Sequence, residues 1–138
     1  MADKSSIVEE FATRYTAAWC SQNAAGVAAF FSPQGTLTIN NGTPSIGPSA
    51  ITAAAQSFMT AFPDLRILMD RIIERGDRTE YHWTLIGTHT GPGGTGNSVR
   101  ISGFESWQFG SDGLIMESQG HFETADYDRQ LAGKSHSS

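Results

Sequence analysis

Apolar residues recur along this chain with two periods, and the period changes near Pro63. Before it, Ile7, Phe11, Tyr15 and Trp19 stand four residues apart, which predicts a first helix of about four turns carrying one aromatic stripe. Ser6-Ile7-Val8-Glu9 has capping-box spacing, in which a hydroxyl and a carboxylate satisfy free backbone N–H groups at a helix start. Asn23 can cap a short second helix that runs to Phe31 and ends at Ser32-Pro33. Residues 36–40 alternate with period two and predict a strand, and Asn41-Gly42-Thr43-Pro44 is turn chemistry. Gly47-Pro48-Ser49 opens a third helix with proline in its first turn. Ile51, Ala55, Phe58 and Phe62 share one face of it, and Phe62-Pro63-Asp64 closes it.

Beyond Pro63 the pattern predicts long strands over residues 65–74, 79–90, 97–109 and 113–122. Tight-turn signals at Gly76-Asp77 and Ser111-Asp112-Gly113 make their pairing antiparallel hairpins. One face of the second long strand carries Tyr81, Trp83, Leu85, Gly87 and His89. One face of the third carries Val99, Ile101, Gly103, Glu105, Trp107 and Phe109, with mostly polar residues between them. The sheet is therefore expected to have one dry and one wet face, with Gly87 and Gly103 letting it bend. Thr124 is the expected cap of a last helix over residues 125–131, stopped by Gly133. Three helices followed by an antiparallel meander is an α+β pattern, and a bent sheet closing over the first and third helices makes a cone with one open end. Residues 1–133 form the single expected domain, and 134–138 a polar tail.

The candidate chemistry lies in the last two strands. Simple alternation places Gln119, His121 and Glu123 on the face of Ile115, and Glu105 on the face of Trp107. Carboxylates and an imidazole among apolar neighbours are costly unless paired or used. Glu123 is the candidate base, with His121 two residues away to share its proton or orient it, and His89 and Tyr15 as donors to a developing enolate oxygen. Gln119 and Glu105 complete the polar patch; Trp19, Phe58, Phe62, Trp83, Trp107 and Ile115 supply the apolar walls. Each has a plainer alternative. Tyr15 can be a core tyrosine, His89 a satisfied strand-end histidine, and Glu123 a first-turn acid of the last helix. A bulge could also turn Glu105 outward.

Composition narrows the picture. At 138 residues the chain is one domain, and a formal charge of −5 with no basic stripe argues against nucleic acid. Its apolar runs are too short to span a bilayer, and its opening residues form no secretory core, so a cytoplasmic location is expected. Cys20, the single cysteine, reads as a small buried hydrophobe. Gly91-Pro92-Gly93-Gly94-Thr95-Gly96 fits G-x-G-x-x-G but opens no helix, which argues against a dinucleotide. His121-x-Glu123 with His89 imitates a metal triad only in face parity, so no metal is expected. Phe104 on the wet face suggests a homodimer contact.

Several motifs together resemble the SnoaL-like polyketide cyclases of the nuclear transport factor 2-like (NTF2-like) superfamily. They are Ala61-Phe62-Pro63-Asp64-Leu65, Trp83-x-x-x-Gly87-Thr88-His89-x-Gly91, Asp112-Gly113-Leu114-Ile115-x-Glu117, Phe122-Glu123 and Tyr127-x-Arg129-Gln130-Leu131. The resemblance implies an NTF2-like cone and cofactor-free acid/base chemistry on a hydrophobic carbonyl compound: aldol cyclisation, isomerisation or dehydration. It implies that Glu123 stands where these cyclases usually carry a catalytic Asp, one methylene shorter. The chain also resembles ketosteroid isomerase in fold, with Tyr15 near that enzyme's first-helix tyrosine and Asn40 near its base, a role an amide cannot fill. The superfamily also holds non-catalytic binders, so a ligand-binding domain of the same shape is the alternative.

Overall fold

The first aromatic stripe turns inward along α1 (Lys4–Cys20) in the computed structural model, which describes residues 4–133, with side chains from Ile7 onward. The helix starts ahead of Ser6, and the capping-box side chain and the tail 134–138 lie outside the described residues. Val8, Phe11, Ala12, Tyr15 and Trp19 are buried, whereas Ile7 is 60% exposed. Four residues advance about 40° past a full turn. Three such steps from Trp19 back to Ile7 carry the row off the core side, and Val8 takes the expected place.

Asn23 does cap α2 (Ala24–Ala28), its side chain accepting from the Gly26 N–H at 3.0 Å. The helix ends earlier than expected because Phe31 already begins β1 (Phe31–Ile39), whose first residues are irregular, so that Pro33 sits where no regular ladder is required. After the two-residue β2 (Ser45–Ile46), Pro48 stands in the first turn of α3 (Gly47–Ala61). Ile51, Ala55 and Met59 are buried on α3, and Phe62 is fully buried just past its end.

The four long strands follow as β3 (Arg66–Arg75), β4 (Arg78–Thr88), β5 (Ser98–Phe109) and β6 (Ile115–Phe122). They pair as the expected antiparallel meander, in a six-stranded sheet of order β2-β1-β6-β5-β4-β3. The addition is β1, which runs parallel to β6 and places its strand beside the last one (Leu37 opposite Ser118). Then α4 (Thr124–Ala132) has Glu123 at its N-cap position without a side-chain cap, so Thr124 is its first helical residue and not the cap. Gly133 ends it in the left-handed conformation, φ 76°. Asn40 holds this corner: its side chain accepts from the Phe122 N–H at 2.9 Å and donates to Thr124 Oγ1 at 3.1 Å.

The core is strongly aromatic. Tyr15 meets Trp107 edge-on at 5.2 Å and Tyr81 at 5.4 Å, and Tyr81 stacks on Trp107 at 4.8 Å between ring centroids. Cys20, expected inside, is instead exposed at the end of α1, its sulfur beside the backbone of Ile67. Among the described residues no helix is long and apolar enough to cross a membrane.

Candidate functional site

The inner faces of β4 and β5 hold what alternation predicts, with Glu105 opposite Tyr81 and Gly103 opposite Trp83. The last strand does not. Phe109 pairs with Ile115 and Gln108 with Glu117, so Met116 is an extra residue, 41% exposed. Such a bulge shifts every later side chain to the opposite face. Ser118, Gly120 and Phe122 therefore point inward with Trp107, Glu105 and Gly103, while Gln119 and His121 face outward beside Ser106 and Phe104.

This corrects the expected placement of the catalytic group. Glu123 is exposed and lines an open groove on the outer side with Asn40, Phe104, His121 and Thr124. The His121 ring lies against Phe104 at 5.0 Å, and His82 stacks on the other side of Phe104 at 5.2 Å. His89 follows β4; its Nδ1 accepts from the Thr95 N–H at 3.1 Å, fixing the loop to β5, and its ring packs near Phe62. Glu123, His121, His89 and Tyr15 are thus not brought together, and only Tyr15 reaches the cone interior.

Inside the cone, Trp19, Leu37, Ile39, Phe58, Ile67, Tyr81, Trp83, Leu85, Ile101, Phe122 and Tyr127 enclose a cavity of about 60 Å³ together with Glu105. That is room for a few waters, and a ring-sized ligand would have to part the walls to enter. Of the expected walls, Trp19, Phe58 and Trp83 line it. Trp107 and Ile115 are buried behind it, Phe62 packs against Tyr127, and Gln119 is on the far face.

Among the described residues Glu105 is the one carboxyl in the cavity wall, and three donors surround it. Ser118 Oγ donates to Oε1 at 2.7 Å, Trp107 Nε1–H at 2.9 Å and Tyr15 Oη–H at 3.0 Å. Among the described residues Oε2 has only a share of the same Tyr15 hydroxyl, at 3.1 Å. Burial pushes the Glu105 carboxyl above its ordinary 4.5, more than the three hydrogen bonds pull it down. With Oε1 saturated as an acceptor, the proton of the neutral form belongs on Oε2. Burial, with the Glu105 charge beside it, likewise raises the Tyr15 hydroxyl well above 10. Tyr15 remains a donor throughout the ordinary pH range, behind Glu105 and not in the cavity wall.

Ser118 was missed because the bulge hides its parity; Gly120 and Phe122 were missed for the same reason. Glu105 was visible as a carboxylate on an apolar strand face, though ranked below Glu123. One further feature is unpaired: Trp83 Nε1 is a buried side-chain donor with no partner among the described residues. Among those residues no group of three or more His, Cys, Asp or Glu is placed to hold a metal ion.

Comparison with known proteins agrees with this fold. The family model for SnoaL-like polyketide cyclases matches residues 9–131. Among solved structures, TsrD from Streptomyces laurentii superposes with a TM-score of 0.80 at 19% identity, covering 98% of this chain and all (100%) of that one. A protein with a ketosteroid isomerase-like fold from Catenulispora acidiphila DSM 44928, in complex with trimethylamine, gives 0.78 at 15% identity over 89% and 92% of the two chains. TerC, co-crystallised with polyporic acid, gives 0.73 at 16% identity over 91% and 98%. At such identities the likeness is one of fold. No curated protein matches the sequence.

Proposed function

The chain belongs to the SnoaL-like polyketide cyclase family, and from that premise we propose that it is a cofactor-free enzyme moving protons on a hydrophobic carbonyl compound held in the cone. Aldol cyclisation, isomerisation and dehydration all fit such chemistry. The observation that carries the reading is Glu105, a buried carboxyl of raised proton affinity in an otherwise apolar cavity wall. As the anion, Oε2 removes a proton from the carbon next to the carbonyl, leaving an enolate. As the acid, it returns that proton to carbon, or to a departing hydroxyl as water. Tyr15, Trp107 and Ser118 hold Oε1 and so aim Oε2; they are positioning residues. Proton transfer thus moves from Glu123, the sequence's candidate, to Glu105.

Exchange of acetophenone methyl protons in D2O, followed by proton NMR, tests this directly. The protein should accelerate exchange over buffer, and Glu105→Gln should return it to the buffer rate. Exchange at the buffer rate with wild-type protein would leave the second reading, a non-catalytic ligand-binding domain. One observation favours that alternative: Tyr15, Trp107 and Ser118 already converge on the Glu105 carboxyl, as in a purely structural polar cluster. We also propose a homodimer through the outer sheet face, where the half-buried His82–Phe104–His121 stack is available for a second copy.

A further inference from the structure

We propose that the Trp83 indole Nε1–H is the donor that reads the ligand's carbonyl oxygen, while the carbon beside that carbonyl faces Glu105. This inference rests on the acid/base reading above and adds the group that orients the substrate. Buried N–H donors without partners are rare, because hydration is given up with nothing in return. Trp83 Nε1 is in that condition, and Trp83 forms part of the cavity wall.

The sheet register places the donor usefully. Tyr81 is opposite Glu105 and Trp83 opposite Gly103, so Trp83 and Glu105 are diagonal neighbours on one face, roughly 7–8 Å apart. Between them the floor carries no side chains, since Gly103 faces Trp83 and Gly120 faces Glu105 from β6. A Cβ on Gly103 would come within 2.8 Å of Trp83 Cζ2. Cζ2 and Nε1 flank the same ring-fusion carbon, so the side of the indole that meets Gly103 is the one that carries the N–H. Phe122 closes its far side, 6.1 Å from the indole between centroids. Glu105 Oε2 and Trp83 Nε1–H are then under-used polar groups of two residues that share one apolar cavity wall, the indole nitrogen staying covered until a ligand moves in beside it. A carbonyl compound spanning them presents oxygen to a fixed donor and its acidic C–H to a base. When the proton leaves, negative charge develops on the oxygen that Trp83 holds.

The test compares acetophenone with α-methylstyrene, which replaces the carbonyl oxygen by a methylene group of similar shape. Binding is read from the three indole N–H signals of ¹⁵N-labelled protein. Acetophenone should bind roughly 3- to 10-fold tighter than α-methylstyrene, the usual worth of one hydrogen bond. It alone should move the Trp83 indole proton downfield, and Trp83→Phe should bring the two affinities together. Should Trp83→Phe not fold, the wild-type indole shift decides alone. A preference that survives Trp83→Phe but disappears in Glu105→Gln overturns the inference and leaves the enzyme reading standing, with the carbonyl on Glu105. A preference read by Trp83 without proton exchange keeps the donor and removes the enzyme. No binding of either compound overturns both.

Discussion

Glu105 ties the stability of this fold to pH in a direction opposite to that of most acidic residues. Its carboxyl is pushed above the ordinary 4.5, so between the unfolded and folded proton affinities the folded state binds the proton more tightly. Its contribution is therefore fully present below about pH 4.5 and is lost as pH rises through the folded value. The loss is about 1.4 kcal/mol for each tenfold difference in proton affinity. Glu105→Gln removes the titration and keeps an acceptor for Ser118, Trp107 and Tyr15, while Glu105→Leu strands all three donors. At about 1–3 kcal/mol per stranded donor, the leucine variant loses a large share of a stability of about 5–15 kcal/mol. Urea unfolding of wild type and Glu105→Gln from pH 4 to pH 8 separates the effects. Wild type should lose stability relative to the glutamine variant as pH rises above about 4.5, and then level off. Parallel curves, or wild type gaining on the variant with pH, would refute the claim that burial outweighs the three hydrogen bonds.

Glu123→Gln should leave the acetophenone exchange rate within about twofold of wild type, because residue 123 lies on the outer groove; a large loss would restore it as the base. Gly103→Ala should cost about 1–3 kcal/mol in urea unfolding, since its methyl would run into the His121 carbonyl and the Trp83 indole, and unchanged stability would contradict that close approach. Phe104→Glu should yield a monomer by light scattering where wild type is a dimer; a monomeric wild type would remove the proposed interface.

Much of this architecture was legible because period-two alternation survives intact in β4 and β5, from Tyr81 to Gly87 and from Val99 to Phe109. The site was only half legible, for a local reason. One extra residue at Met116 reverses the parity of the last strand, and no turn residue or charge at that point announces it. Sequence alternation consequently assigned Gln119 and His121 to the interior in place of Ser118 and Gly120. Ile7 failed for a gentler reason, the drift of a four-residue spacing around a 3.6-residue helix. The parallel neighbour of β6 could not be read at all, since β1 and β6 meet across some eighty residues of chain (Leu37 to Ser118).

That meeting has a consequence for how the molecule is made. With β6 between β1 and β5, the sheet's middle seam stays open until the last strand leaves the ribosome, so the earlier elements wait with an unfilled slot. Closure of so distant a pairing is slow compared with the local hairpins. During that interval the exposed flank of β1 offers itself to any other extended chain nearby, which makes rapid overproduction the condition most apt to precipitate this protein.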